Sequence, residues 1–338
     1  MTDSTAPAPP DVSVVVPTRN RSELLARLLG QLVRLDGDLR YEIVVVDEES
    51  TDETPALLSR FAADHGVRVV RHDRPRGLPA ARNAGQTAST GRYVAWIDDD
   101  DLTSTDRLRR QHDALVSTGG RWSCAGRVDI DDHLDVIGHV SCPSADDLLP
   151  VLLRSNVLPT AAQGLLVERS LADEVGGYRE NLRSAEDWDY CLRLAAREMP
   201  HFLDEPLVAY RTGVASMSTD TERMQRAIET VIADHGADYR RCGVQPDWAA
   251  IHDSLLAADL LRGRRRAVAR AARSLRAGPT IRRAVRLLAC AVAPHWYARH
   301  SAERRRRQVP ADWLAVARGW LDDVVATPKP TDVPSEWR

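Results

Sequence analysis

Four consecutive aspartates, Asp98–Asp101, follow the short apolar run Tyr93–Ile97. Carboxylates this close together repel one another, so a folded protein tolerates the cluster only where a positive charge lies against it. The apolar run predicts a buried strand, and the carboxyl end of such a strand is where an open α/β sheet binds its ligand. Oxygen ligands favour Mg²⁺ or Mn²⁺, with phosphate oxygens of a substrate completing the coordination. A solvated acidic turn is the competing interpretation, but it explains neither the number of carboxylates nor their placement.

A second acidic pair, Glu186–Asp187, lies at the start of a predicted helix. One interpretation is simple charge complementarity with the positive end of the helix dipole. The other is a general base that takes the proton of a substrate hydroxyl, which requires a carboxylate separate from the metal ligands. Local sequence leaves both interpretations open.

The first hundred residues supply the elements that must position these groups. Apolar runs alternate with segments of helical periodicity, which predicts an α/β fold with a parallel, doubly wound sheet. The predicted strands are Val12–Val16, Glu42–Asp47, Val67–Val70 and the run before Asp98. Because the carboxyl ends of parallel strands share one edge, we expect Thr18–Asn20, Asp47 and the four aspartates to converge on a single crevice.

Beyond the fourth strand the pattern changes. Alternating apolar and polar residues over Arg121–His139 predict an antiparallel hairpin, and Leu207–Arg211 is the last predicted strand. From Asp220 onward the periodicity is helical. These changes divide the chain into a disordered N-terminus at residues 1–11, an α/β domain at residues 12–219 and a helical domain at residues 220–338.

Two arginines, Arg76 and Arg82, lie in and after a loop with Pro75 and Gly77 on the same predicted sheet edge. They are either ordinary surface arginines or residues whose guanidinium groups form charge-assisted hydrogen bonds with a diphosphate. The sequence has no Walker A pattern and no GxGxxG at a strand-to-helix turn. A metal that bridges the phosphates would take the place of the phosphate-binding loops that these two motifs form.

Composition limits the class of protein. With 43% apolar and 28% charged residues the chain is globular, and a net charge of −3 gives no overall attraction for nucleic acid. Five scattered cysteines form no CxxC pair, and the N-terminal residues resemble no signal peptide. Together these features predict reduced thiols and a cytoplasmic location.

The C-terminal helices are rich in arginine, at Arg264–Arg266, Arg282–Arg283 and Arg304–Arg307, and they include Trp296. Such helices could lie peripherally on the inner face of an anionic membrane. A helical cap with a solvated arginine face is the preferred interpretation.

Six blocks carry the most specific signal in the chain. They are VSVVVPTRN at Val12–Asn20, VVVDEESTD at Val44–Asp52, GLPAARNAG at Gly77–Gly85, GRYVAWIDDDDLTSTDRL at Gly91–Leu108, VGGY at Val175–Tyr178 and EDWDYCLR at Glu186–Arg193. In this order they resemble family 2 glycosyltransferases, over about residues 11 to 218. The resemblance implies a GT-A fold, a Rossmann-like domain that here precedes a smaller all-α C-terminal region. It also implies inverting transfer of a sugar from a nucleoside-diphosphate sugar to an acceptor hydroxyl or amine.

Matched by motif, the resemblance implies a set of site residues. The nucleotide-sugar site would contain Pro17, Thr18, Arg19, Asn20, Asp47, Glu49, Arg76, Arg82, Asp98, Asp99 and Arg211. Within it, Asp47 would recognise the base, and Asp98 of the DxD motif would face the ribose. Asp100, with Asp98, would hold Mn²⁺ or Mg²⁺. Asp187 would be the catalytic base, with Glu186 beside it.

The implied donor is a UDP, dTDP or GDP sugar, and the acceptor is a hydroxyl-bearing glycan, lipid-linked sugar or natural product. Two departures from the family pattern matter. The second strand ends Asp47-Glu48-Glu49-Ser50 where Asp-Asp-Gly-Ser is usual, so a permissive glycine is missing at Glu49. Many relatives also have a histidine shortly after the Tyr-Arg pair; here Tyr210–Val214 has none, which weakens the metal site or leaves the phosphate contact to Arg211. A nucleotidyltransferase and a non-catalytic sugar-nucleotide-binding scaffold are the alternative functions.

Overall fold

The computed structural model describes residues 9–35, 38–160, 162–212 and 220–326. Three sequence-based expectations therefore lie wholly or partly outside the described residues: most of the disordered N-terminus, the segment after Thr212 that lacks a histidine, and the domain boundary at residue 219. Within the described ranges the molecule is built on a mixed sheet of nine strands, flanked by helices.

The N-terminal half of the sheet is parallel, as predicted. Its strands are β1 (Val12–Thr18), β2 (Tyr41–Asp47), β3 (Arg68–Arg71) and β4 (Tyr93–Trp96), in the order β3-β2-β1-β4. Each neighbouring pair of these strands is parallel. The connecting helices are α1 (Ser22–Leu32), α2 (Thr54–His65) and α3 (Leu78–Ala88). Strands β1 and β4 are buried along their whole length, which is why their sequences are continuous apolar runs.

Beyond β4 the sheet is mixed. The remaining strands are β5 (Leu102–Thr103), β6 (Trp122–Ile130), β7 (Val136–Val140), β8 (Leu165–Glu168) and β9 (His201–Arg211). Strand β8 lies antiparallel to β4, and the order continues β8-β6-β9-β5. The predicted hairpin is the antiparallel pair β6–β7. The parallel arrangement expected for the first four strands is confirmed. The later strands, which are not joined by regular strand-helix-strand units, pair antiparallel except for β6 and β9, which are parallel.

The other helices fill both faces of the sheet and the C-terminal region. They are α4 (Arg107–Thr118), α5 (Leu148–Arg154), α6 (Arg169–Val175), α7 (Glu186–Ala195), α8 (Thr221–Asp234), α9 (Gly236–Cys242), α10 (Trp248–Leu261), α11 (Arg264–Ala277), α12 (Ile281–Val292), α13 (Pro294–Arg307) and α14 (Ala311–Ala326).

Alternate residues of the central strands enter two separate cores. Val14 and Val16 of β1 pack on one face with α1, whereas Val15 packs on the other face with Trp96 and α7. Helix α3 lies so close to β1 that a Cβ placed on Gly85 would be 2.2 Å from Cγ1 of Val15. Glycine at this position therefore sets the distance between helix and sheet.

The C-terminal helices pack on the same body. Ile228 of α8 and Ile251 of α10 belong to the core that contains Trp96. Trp313 of α14 packs against β6 and β9, and the indole nitrogen of Trp320 donates to the carbonyl of Pro206 at 2.9 Å. The division at residue 219 stays a prediction.

Candidate active site

The ends of three parallel strands form the expected edge. Thr18 of β1 is the register partner of Asp47 of β2, and the backbone nitrogen of Ile97, just after β4, bonds to the carbonyl of Val15. The four aspartates begin at the next residue. The chain then turns at once into the short strand β5, so the cluster is held from both ends.

Arginines neutralise the aspartate cluster. The guanidinium of Arg82 contacts both carboxylate oxygens of Asp98, at 2.8 and 3.1 Å. Arg21 contacts Asp99 at 2.9 Å and Asp100 at 2.8 Å. The positive charge that the sequence predicted beside the aspartates is thus supplied by Arg21, on the loop after β1, and by Arg82 of α3.

Burial disfavours the charged form of Asp99, Asp100 and Asp101 despite these arginines. Burial raises the pKa of Asp99 to about 6, and burial with the charge of Asp98 raises the pKa of Asp100. Asp101 is buried and has a pKa well above its ordinary value, and among described atoms one of its carboxylate oxygens has no hydrogen-bond partner. Its other oxygen accepts from the backbone nitrogen of Arg211 at 3.0 Å.

Helix α3 joins the aspartates to the second acidic site. The guanidinium of Arg82, which is only 2% exposed, also contacts Glu186 at 3.0 Å. The Arg82 guanidinium lies 5.1 Å from the ring centre of Tyr178, which completes its enclosure. One buried arginine therefore links Asp98 at the end of β4 to Glu186 at the start of α7, and it does not project into solvent as a free phosphate ligand.

The acidic pair at the start of α7 has an unusual backbone. Ala185, which precedes it, has a left-handed φ of 56°. Burial raises the pKa of Glu186 to about 7 and also raises the pKa of Asp187. Glu186 is buried, whereas Asp187 is partly exposed and accepts from the backbone nitrogen of Trp188 at 2.7 Å. Of the two carboxylates, Asp187 is therefore the one that a bound molecule could reach more easily.

The loops after β1 and β2 are tied together. The side-chain oxygen of Asn20 accepts from the backbone nitrogen of Thr51 at 2.7 Å, and the backbone nitrogen of Asn20 donates to the Ser50 hydroxyl at 2.9 Å. Asn20 has a φ of 52°, a left-handed conformation that asparagine tolerates better than most residues. The hydroxyl of Thr18 donates to Asp99 at 2.7 Å. Pro17 lies at the end of β1, and Arg19 is exposed beside it.

The Asp47 carboxylate is buried, and both of its oxygens have partners within the protein. One oxygen accepts from the backbone nitrogen of Ser50 at 2.9 Å, and the other contacts Arg71 at 2.6 Å. The residue expected to recognise the base thus also organises its own loop. Glu49, at the position where glycine is usual, adopts a φ of 61°, so the loop keeps the left-handed turn without the glycine.

Three important residues of the site were not singled out from the sequence. Glu48 is buried and accepts from the backbone nitrogens of Arg76 at 2.8 Å and Gly77 at 2.6 Å. Gln163 donates to Asp98 at 2.8 Å, and Arg21 bridges two aspartates. Arg21 and Glu48 directly follow residues already placed on the sheet edge, which is the signal that could have found them. Nothing in the local sequence marks Gln163.

Two arginines that were predicted to line the nucleotide-sugar site have other contacts in the structure. Arg76 is about half exposed and pairs with Glu180 at 3.4 Å, on the rim of the loop. Arg211 is buried, and its guanidinium donates to the backbone carbonyl of Asp100 at 3.1 Å. In this arrangement Arg211 fixes the backbone of the aspartate cluster.

The donor set suits a divalent cation held jointly with a substrate. Among the described residues, no three His, Cys, Asp or Glu side chains are grouped to hold a metal by themselves. Mg²⁺ is commonly held by one or two carboxylates plus substrate phosphates, so two aspartates suffice. Burial and then repulsion from Asp98 raise the pKa of Asp100, and a cation held by these carboxylates would relieve that repulsion. Asp98 and Asp100 therefore fit such a group.

The fold and this edge of carboxylates define a class of protein that binds its ligand at the strand ends of an α/β sheet. Residues 13–186, more than half of the chain, match the family model described as glycosyl transferase family 2. The chain therefore belongs to glycosyl transferase family 2, a family of transferase enzymes.

Individual relatives agree with this assignment. The succinoglycan biosynthesis protein ExoO of Rhizobium meliloti is 33% identical over 196 residues, which are 53% of this chain and 54% of ExoO. A PGL/p-HBAD biosynthesis glycosyltransferase of Mycobacterium bovis is 28% identical over 204 residues, 55% of this chain and 70% of the relative. The chain thus spans about half the length of ExoO and more of the second relative.

A solved structure confirms the expected fold. Residues 1–349 of S. aureus TarS, in a crystal structure with UDP-GlcNAc, superpose with a TM-score of 0.56 and 17% identity. The match covers 88% of this chain and 92% of the TarS chain. The GT-A fold implied by the sequence blocks is therefore the fold of this protein.

Proposed function

We propose that this protein transfers a sugar from a nucleoside-diphosphate sugar to an acceptor hydroxyl or amine, with inversion at the anomeric carbon and with Mn²⁺ or Mg²⁺ on the donor. Family membership supplies the reaction class. The observation that carries the finer proposal is the buried guanidinium of Arg82, which contacts both Asp98 and Glu186. This contact supports placing the DxD motif and the candidate base in one site, as a single displacement requires.

On the donor side, the residues at the strand ends bind and orient the nucleotide. Asp47, the linked Asn20 and Ser50 loops, and Thr18 form the wall against which a base and ribose would lie. Asp98 and Asp100 would hold the cation, which when bound neutralises charge on the departing diphosphate. Arg21 and Arg82 keep compensating positive charge beside those carboxylates.

On the acceptor side, Asp187 takes the proton from the acceptor hydroxyl. The acceptor oxygen forms its bond to the anomeric carbon from the face opposite the diphosphate, and the bond to the diphosphate oxygen breaks with its electron pair. A raised pKa makes a carboxylate a stronger base nearer to neutral pH, which suits Asp187 for this step. Glu186, buried against Arg82, lies next to the base, and burial together with the charge of Asp98 raises the pKa of Asp187.

The substitution Asp187→Asn tests the base directly. We expect transfer to fall by about 10²–10⁴-fold, while donor binding measured by calorimetry stays within about twofold, because the amide keeps the shape but accepts no proton. Asp113→Asn, on an exposed carboxylate of α4, is the matched control and should leave transfer unchanged. Near-normal transfer by Asp187→Asn would exclude it as the base.

A donor screen tests the substrate class. Thermal shift with UDP, dTDP and GDP sugars, each with and without Mn²⁺, should give stabilisation by one nucleotide that is lost in EDTA. Turnover should release the nucleoside diphosphate, whereas a nucleotidyltransferase would release pyrophosphate. Absence of a shift with every donor would instead favour the scaffold function, and full turnover in EDTA would remove the metal from the mechanism.

A further inference from the structure

Helix α12 turns its polar side toward the protein. Arg283 and Arg286 both form ion pairs with Asp253 of α10. Cys290 is buried in a small cluster with Leu256 and Ala271. A surface helix normally buries its apolar side chains and exposes its charges, whereas α12 turns two arginines inward beside Cys290 and the partly buried Leu287.

The opposite side of α12 is an exposed apolar stripe. Ile281, Val285, Leu288 and Val292 follow one another at intervals of four, three and four residues, which places them on one face of an α-helix. Their exposed fractions are 86%, 59%, 63% and 71%. Trp296, exposed by 58%, follows in the first turn of α13. Single exposed apolar residues are ordinary, but a continuous stripe of them marks an interaction surface.

The segment that carries this stripe is strongly basic. Residues 264–307 contain 14 arginines and one acidic residue, Glu303, whereas the whole chain has a net charge of −3. Five of the arginines form ion pairs with acidic residues of other elements, namely Arg266, Arg270, Arg283, Arg286 and Arg306. The other nine are exposed and have no ion pair with any described acidic residue. They are Arg264, Arg265, Arg273, Arg276, Arg282, Arg299, Arg304, Arg305 and Arg307.

We propose that the apolar stripe of α12 inserts into the headgroup region of an anionic lipid bilayer, with exposed arginines of the same segment on the surrounding phosphates. An apolar stripe combined with arginines is what binding in the plane of a membrane surface requires. Among the described helices, none has the length and apolar character to cross a bilayer, so this contact is superficial.

Two other occupants fit the surface less well. A second copy of this chain would bring two strongly basic segments face to face, and like charges at such a contact repel. A nucleic acid would use the arginines, but its phosphate backbone offers nothing for Ile281, Val285, Leu288 and Val292. The apolar stripe and the excess of arginines occur in the same segment, and of the three occupants a lipid surface is the one that offers partners for both.

Vesicle flotation with the full chain tests the proposal. The probes are vesicles of phosphatidylcholine alone and of phosphatidylcholine mixed with phosphatidylglycerol. We expect the protein to float with the mixed vesicles only and to be released partly by salt. The triple variant Val285→Ser/Leu288→Ser/Val292→Ser should bind at least about tenfold more weakly at low salt, because apolar burial supplies that part of the affinity.

Three exposed valines outside the stripe provide a matched control. The variant Val69→Ser/Val116→Ser/Val316→Ser changes side chains that are 41%, 56% and 43% exposed and should float like the unchanged protein. Leu288→Asp alone is a second stripe variant, for use if the triple variant fails to fold. Circular dichroism of each variant establishes that the fold is intact.

Several results would overturn the proposal. One is equal flotation of a folded stripe variant and the unchanged protein, which would leave only a general polyanion site. Another is displacement of the protein from mixed vesicles by duplex DNA at equal phosphate concentration. A third is a solution dimer, measured by light scattering, that the stripe variants convert to a monomer. Absence of flotation with the mixed vesicles would also refute it.

Discussion

The substitution Arg82→Met removes the buried guanidinium that lies between Asp98 and Glu186. Both partners are largely enclosed, with side chains 20% and 7% exposed, so neither carboxylate can be fully resolvated. Removing one partner of a buried ion pair costs about 3–5 kcal/mol because the remaining charge stays buried. We therefore expect the free energy of unfolding to fall by about 4 kcal/mol near pH 8.

The loss should depend on pH with a definite sign. Because the pKa of Glu186 in the folded protein is raised to about 7, its contribution to stability is fully present below its ordinary pKa and is lost as the pH rises through about 7. Removing Arg82 raises that pKa further, so the variant holds an extra proton over the interval between the two values. At about pH 5.5 the loss of unfolding free energy in Arg82→Met should therefore be smaller than at pH 8. The difference should be about 1.4 kcal/mol for each unit by which the variant raises the pKa of Glu186.

Urea unfolding followed by tryptophan fluorescence measures both quantities. Arg82→Met/Glu186→Gln should recover at least about 1 kcal/mol relative to the single variant near pH 8, because the unpaired charge is gone. Arg92→Met, at an exposed arginine paired with Glu168 at 3.3 Å, is the matched control and should change stability by less than about 0.5 kcal/mol. A deficit that is the same at both pH values and unaffected by Glu186→Gln would refute the reasoning.

Two further predictions concern the backbone. Glu49→Gly should raise the melting temperature, because it removes a left-handed strain of about 1 kcal/mol at φ 61°, offset in part by the greater freedom of unfolded glycine; a lower melting temperature would contradict it. Gly85→Ala should destabilise by about 1–3 kcal/mol through the clash with Val15, whereas Gly30→Ala, in α1 with open space around it, should stabilise by about 0.5–1 kcal/mol. Calorimetry that gave both alanine variants the same sign would contradict this pair.

Local patterns were sufficient for the first half of the fold. The four apolar runs became β1 to β4 with bounds shifted by one or two residues. For β1 and β4 the reason is that a strand buried on both faces has to be continuously apolar, whereas β3 is an exposed edge strand. The turn from parallel to antiparallel at β8 could not be predicted. Leu165–Glu168 is equally compatible with either direction, and its pairing with Tyr93–Ala95 depends on contacts between distant residues.

In the site, too, the features that depend on local sequence could be predicted, and those that depend on contacts between distant residues could not. The sheet-edge rule placed the aspartates beside the loops after β1 and β2, where Thr18 reaches Asp99. It gave no means of knowing that Arg82 would be enclosed between Asp98 and Glu186. An arginine after a glycine-containing loop has the same sequence whether it meets a phosphate or two carboxylates, and only the packing of α7 against α3 decides between these partners.

The periodicity of α12 defines two faces of the helix but does not determine which of them turns inward. From sequence alone, Ile281, Val285, Leu288 and Val292 would be assigned to a core. In the structure, Asp253 of α10, whose side chain is 24% exposed, pairs with both Arg283 and Arg286 on the inward side of α12. These contacts to a carboxylate thirty residues away in the chain accompany the orientation that exposes the apolar face, and exposure of that face is what gives the helix a surface for lipid.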